Sequence, residues 1–432
     1  MKAIKLFKAV ITLLSLQGIL MSAQIKHIDI NNTKIPVIFE KQTSLPILNM
    51  QLVFQNSGSI QDGNLNGIAS FSAKLLNEGT KKSGSTKFAS ELESNAISLN
   101  VASGFETFVI ELSSLKEVNE KAFKLLKDLL KDPNYDKKVV EKIKTILIGS
   151  LKRKQNDYDY VAKNQLKDIL FKDTALQHPS SGTIESINNI KLADVKKFID
   201  NTFNLSNLII VVGGDIEFKE LENKIQTLLK SMPAKGKKEL KKVEITAKPI
   251  VKELKKPTEQ AYIYFGSKFN VKAQDEENYK AKVASFILGG SGFGSRLMEE
   301  IRVKRGLAYS AYGYVSINKS HSYFTGYLQT KLESAKEAQE LVAEIVKDFV
   351  QKGVTQEELD AAKNFLTGSE PLRTETLSQR LNRAFNLYYK GLKQDYPQKE
   401  LEKIQNLELK DLNNYIKSHK EIVDLSFSIV RK

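Results

Sequence analysis

The chain has 432 residues, no cysteine and a formal charge of +15 at neutral pH. The lack of cysteine excludes disulfides, thiolate metal sites, a cysteine nucleophile and a lipid-modified cysteine together. The length exceeds what one ordinary core supports and predicts two or more domains, and the basic balance raises nucleic acid or acidic partners as candidates. Against nucleic acid, the densest lysine run, AKGKKELKKVEITAKPIVKELKKP from Ala234, holds no aromatic residue on which a base could stack, and it reads as a solvated linker.

In chain order, Lys2, Lys5 and Lys8 precede an apolar stretch from Ala9 to Met21 and then Ser22-Ala23-Gln24. This is the three-part layout of a secretory signal peptide, with cleavage expected after Ala23. Thr12, Ser15 and Gln17 interrupt the apolar stretch, which is too short for a spanning helix, and no later segment is apolar enough. The mature chain is therefore expected to be periplasmic or secreted, with no transmembrane segment.

Periodicity predicts strands at 26–30, 35–40 and 47–55, a helix at 67–78, and strands at 98–102 and 106–112. Helices follow at 117–131, 136–156, 161–171 and 192–201, then a strand at 207–212 and a helix at 218–231. The alternation restarts with a strand at 261–267, a helix at 276–288, a Gly/Ser-rich turn, a helix at 295–304, strands up to 330, and helices up to a last strand at 425–430. This is an α+β pattern used twice.

A direct repeat supports duplication. ESINNIKLADVKKFID from Glu185 aligns without a gap on EKIQNLELKDLNNYIK from Glu402, 217 residues further on, and each copy leads toward an apolar strand, NLIIVVGGD and LSFSIV. A period this long means duplicated domains, since solenoid units run to only about 20–50 residues. The expected division is a signal peptide at 1–23, a first domain at 24–231, a lysine-rich linker at 232–257 and a second domain at 258–432. Each domain is read as an antiparallel sheet packed with helices.

The stretch NGIASFSAKLLNEGTKKS from Asn66 reads as a helix with Asn66 at its start, Gly79 just past its end, and Ile68, Phe71, Leu75 and Leu76 as its buried stripe. It resembles, in register, the segment of the insulysin, pitrilysin and mitochondrial-processing-peptidase family that carries an inverted zinc motif, H-x-x-E-H. Two histidines four apart on one helix face can both reach a tetrahedral zinc, and the glutamate serves as base for the bound water. Here the three positions are Ser70, Ala73 and Lys74, and the family's third ligand, a glutamate on a later helix, falls on or near Ser150. None of these supplies an imidazole or a carboxylate, and Lys74 sets a cation where the metal would lie. Elsewhere His27, His178, His321 and His419 show no metal spacing, and there is no G-x-S-x-G elbow.

The segment LGGSGFGSRLMEEIRVKRGLAYSAYGYV from Leu288 lacks the Lys-Ser/Thr of a phosphate loop and follows a helix where that loop requires a strand. It resembles the second-domain signature of the same family, in which a Gly-rich turn opens a helix ending in arginine, with a tyrosine seven residues later at the start of a strand. Arg302 and Tyr309 fit that spacing. On pattern alone they also suit a helix C-terminus and a strand aromatic; a guanidinium and a phenol can equally donate to a peptide carbonyl.

The resemblance implies two peptidase-like domains enclosing a chamber when paired with another such chain. It implies a non-catalytic, substrate-binding subunit with no cofactor of its own, completing the active site of a zinc-bearing homologue, and an unfolded peptide adding as a strand at the sheet edge within 98–112. The alternative from a different class is a peptide-holding or structural protein of the cell envelope with no role in proteolysis.

Overall fold

The computed structural model describes residues 23–245, 248–292 and 294–432. The expected signal peptide at 1–23 therefore falls, apart from Ala23, outside the described residues.

The first sheet is built from β1 (Gln24–Ile30), β2 (Thr33–Lys41), β3 (Ile47–Gln55), β4 (Ser98–Ser103), β5 (Thr107–Leu115) and β6 (Leu208–Gly214), in the order β1-β2-β6-β3-β5-β4. Asn31 and Asn32 both take left-handed backbone, with φ of 49° and 60°, and close the β1–β2 hairpin with a two-residue turn matched to the strand twist. Strand β6, LIIVVGG, is buried throughout, which is why it reads as a continuous apolar run and not as an alternation. It pairs parallel with β2 and antiparallel with β3.

The second sheet contains β7 (Val251–Lys255), β8 (Gln260–Lys268), β9 (Ala308–Ile317), β10 (Ser322–Lys331) and β11 (Ser426–Arg431), in the order β7-β11-β8-β10-β9. Here β11, in the position of β6, pairs parallel with one neighbour, β7, and antiparallel with the other, β8. With β1 set aside, the two orders coincide strand for strand, so β4 and β9 are equivalent edge strands. The helices of the repeated segments, Leu192–Thr202 and Leu409–Ser418, start 217 residues apart and lead into the equivalent strands β6 and β11. The expectation of duplicated α+β domains holds, with one parallel pair in each otherwise antiparallel sheet.

Several elements depart from the sequence reading, among them the short helix Ile184–Asn189, where no element was assigned. Helix Gly84–Glu93 occupies a stretch read as connecting chain; among its described residues it buries only Phe88, so its apolar signal is weak. Strand β7 lies inside the segment read as a solvated linker. It is an edge strand with mostly exposed residues, VKELK, and lysines on an edge look like linker composition because they protect the edge from pairing with other chains. The preceding stretch is held as well: the N–H groups of Lys235 and Lys238 donate to the Oδ1 atoms of Asn204 and Asn207, at 2.9 and 2.8 Å.

The chain divides into two compact units, each drawing on both halves of the sequence. The first takes the chain up to Thr145, Ile187–Glu239 and Leu372–Asn386; the second takes Ile146–Ser186, Leu240–Pro371 and Leu387–Lys432. Within the first unit, Leu377 and Leu381 lie over Gly213 of β6, where an added Cβ would come within 2.6 Å of Leu381 Cδ1. Beside them the buried carboxylate of Glu40 accepts from Arg380 Nε at 2.8 Å and faces Nη2 at 2.7 Å. Within the second unit, helix Tyr158–Leu170 packs on β8 and β11, with Leu166 and Leu170 over Gly266 and the Tyr264 phenol donating to Asp159 at 3.0 Å.

Candidate functional site

Helix Ile68–Leu76 carries the stretch that resembles the family's zinc-motif segment. Its start is set by Asp62 and not by Asn66: the Asp62 carboxylate accepts the N–H groups of Gly67 and Ala69 at 2.7 and 3.0 Å, satisfying donors that a helix N-terminus leaves orphaned. Burial pushes the Asp62 carboxyl up to about 7 even though both N–H bonds favour its charged form. Past the helix end, Gly79 takes φ 77° and lies against Phe88, whose Cβ would be 2.7 Å from a side chain at that position. Ile68, Phe71, Leu75 and Leu76 form the buried stripe as the spacing predicts.

On this helix Ser70 is half-buried, Ala73 is 3% exposed and Lys74 points to solvent. Ser150 is half-buried on helix Lys137–Lys154, in the portion that belongs to the second unit. A hydroxyl, a methyl and an ammonium on one helix face offer zinc no imidazole or carboxylate, so the residues present do not fit the metal that the motif would hold. Among the described residues, no group of three or more His, Cys, Asp or Glu side chains is placed to hold a metal ion. Two of the four histidines are packed against rings: His321 beside Phe171 and Tyr323, and His419 beside Phe269 and Tyr415.

Arg302 and Tyr309 are brought together. The guanidinium carbon of Arg302 lies 4.6 Å from the centroid of the Tyr309 ring, a cation–π contact. Two local irregularities produce it. The last helical turn before the strand widens to π geometry over Glu299–Val303, with the Lys304 N–H donating to Glu299 O at 2.9 Å. Gly306, at φ 62°, then reverses the chain, donating to Arg302 O at 3.0 Å while Leu307 donates to Ile301 O at 2.9 Å. In β9, Leu328 faces Ala311 but Thr330 faces Ala308, so Tyr309 and Ser310 oppose Gln329 alone. This bulge turns Tyr309 out of the tyrosine stack formed by Tyr312, Tyr327 and Tyr264 and leaves it 81% exposed. The neighbouring cations Lys304 and Arg305 are both engaged by Glu300, whose carboxyl they hold below its usual range.

Two family models match the chain. The model described as insulinase (peptidase family M16) matches residues 37–184, and the one described as peptidase M16 inactive domain matches residues 189–366. The chain belongs to peptidase family M16. A Helicobacter pylori protein named non-peptidase homolog YmxG is 45% identical over 98% of both chains. Among solved structures, a peptidase M16 inactive domain from Pseudomonas fluorescens superposes with a TM-score of 0.85 at 24% identity, covering 94% of this chain and 98% of that one. The periplasmic protease PqqL from Escherichia coli superposes with a TM-score of 0.76 at 15% identity, covering 95% of this chain but 48% of that one. The inactive-domain match and the non-peptidase relative support reading the chain as a non-peptidase M16 homologue.

The first sheet's edge also differs from expectation. Of the strands within 98–112, β5 is interior and only β4 lies at the edge. There the Asn77 side chain accepts from Val101 N–H and donates to Val101 C=O, both at 2.8 Å. Sequence reading missed Asn77 and Asp62 because a helix-flanking Asn or Asp carries no sign of a partner 24 residues away or of a helix start five residues on.

Proposed function

We propose that this chain is the non-catalytic, substrate-binding subunit of a heteromeric M16 metallopeptidase, completing the active-site chamber of a zinc-bearing homologue. The observation that carries the reading is the Arg302–Tyr309 pair, held by a π turn and a β-bulge and ending in an exposed phenol, in a chain whose motif helix cannot bind zinc. Irregularities of both kinds recur where a side chain is aimed for function. That this chain corresponds to about half of PqqL supports pairing of two such chains. The pair would donate hydrogen bonds to a peptide carbonyl whose bond lies at the partner's metal, stabilising the oxyanion formed there. The leader pattern at 1–23 supports a periplasmic or secreted location.

Peptide hydrolysis by this chain alone, by a zinc-bearing homologue alone and by the two mixed tests the reading. The mixture should exceed the homologue alone, with no activity from this chain by itself. Equal rates with and without this chain would leave a peptide-holding envelope protein as the better account.

A further inference from the structure

An edge strand exposes every second residue with both N–H and C=O directed outward, ready to pair with another chain. Val101 is such a residue of β4, and its two groups are taken by one side chain. Asn77 Oδ1 accepts the N–H and Asn77 Nδ2 donates to the carbonyl, as a paired residue of a neighbouring strand would do. The amide is anchored where helix Ile68–Leu76 ends, with the Asn77 N–H donating to Ala73 O at 3.2 Å.

The equivalent edge of the second sheet is closed by different chemistry. In β9 the N–H of Val315 donates to Ser285 Oγ at 3.1 Å, and Gly289 is pressed so close that an added Cβ would lie 2.5 Å from Gly313 N and 2.7 Å from Gly313 O. In each sheet the cover comes from the segment that follows the equivalent strand, β3 or β8. Unrelated side chains thus serve the same purpose at topologically matched strands, which separates this closure from a chance contact.

We propose that Asn77 is a plug that closes the outer edge of β4 to strand addition by an extended peptide. Main-chain pairing would otherwise recruit unfolded segments of almost any sequence. The edge of β9 is covered by the Ser285 hydroxyl together with the close approach of Gly289, whereas that of β4 is met by a single replaceable amide. The inference concerns the chain alone, so it stands or falls independently of any zinc-bearing partner.

The test uses the full chain and a fluorescent, proline-free decapeptide of alternating apolar and polar residues. Wild type should show no peptide-dependent protection from hydrogen exchange over residues 98–103. Asn77→Leu keeps the bulk but frees both groups of Val101; it should bind the peptide at least about tenfold more tightly, as two net hydrogen bonds imply. Its Val101 amide should exchange faster without peptide and regain protection with it. Asn77→Asp keeps only the acceptor and should fall between the two, which preserves the test if the leucine variant folds poorly. Ser285→Ala should gain no binding, because Gly289 still covers the strand. Protection of 98–103 by peptide in wild type, or no gain in either Asn77 variant, would overturn the proposal.

Discussion

The Arg302 guanidinium lies over the ring of Tyr309, 4.6 Å from its centroid, so that the last turn of a helix and the first turn-out of an edge strand share one contact. The phenol oxygen plays no part in that stacking. Tyr309→Phe should therefore leave the pair assembled and remove only a donor, whereas Arg302→Ala removes both stack and charge. In a mixed complex with a zinc-bearing homologue, Tyr309→Phe should lower turnover by about tenfold and Arg302→Ala by about a hundredfold, the lower end for a lost oxyanion donor. Thermal stability and complex formation should not change. Full activity in both variants would return the pair to an ordinary helix-end and strand contact.

The ion pair of Glu40 and Arg380 couples β2 to a segment from the second half of the chain. Glu40 is 3% exposed. Arg380→Ala strands that carboxylate in the interior and should cost about 3–5 kcal/mol, while replacing both residues by apolar ones of similar volume should cost far less. Chemical unfolding of the single and double variants separates the two cases; equal losses would contradict the argument.

Two glycines make opposite predictions. Gly289→Ala drives a methyl into the backbone of Gly313 and should destabilise by about 1–3 kcal/mol. Gly368 closes helix Gln356–Gly368 with nothing within 4 Å of a new Cβ, so Gly368→Ala should be neutral or stabilise by up to about 1 kcal/mol. Melting temperatures of the two variants check this, and a shared sign would refute it.

Asp62 links stability to pH. Its carboxyl is pushed up to about 7 in the fold from 3.8, so the folded state binds a proton more tightly than the unfolded chain. The stabilisation is complete below about pH 4 and is lost as pH rises through 7, by an amount of roughly 4 kcal/mol. Carboxyls held below their usual range, such as Glu300 and Glu358, act in the opposite sense and only at more acidic pH. Between pH 4 and 7, Asp62→Asn should therefore lack a downward slope that wild type shows in denaturant unfolding. Parallel pH profiles would count against this assignment.

What the sequence by itself determined follows from local physics. Alternation and helical period are properties of neighbouring residues, so β3 was legible residue for residue and most helices to within a few positions. The repeat at Glu185 and Glu402 carried the duplication. That Ser70, Ala73 and Lys74 offer zinc no imidazole or carboxylate needed only residue type. The tertiary structure decided whatever depends on partners far apart in the chain. VKELK became β7 because β11, some 170 residues later, offered it a parallel neighbour, and nothing in its own pattern separated it from a linker. Arg302 met Tyr309 through a π turn and a bulge whose register is set by β10. Asp62 and Asn77 acquired their roles because backbone donors and acceptors left over by a helix start and a sheet edge had to be satisfied, and only the folded chain shows which groups are left over.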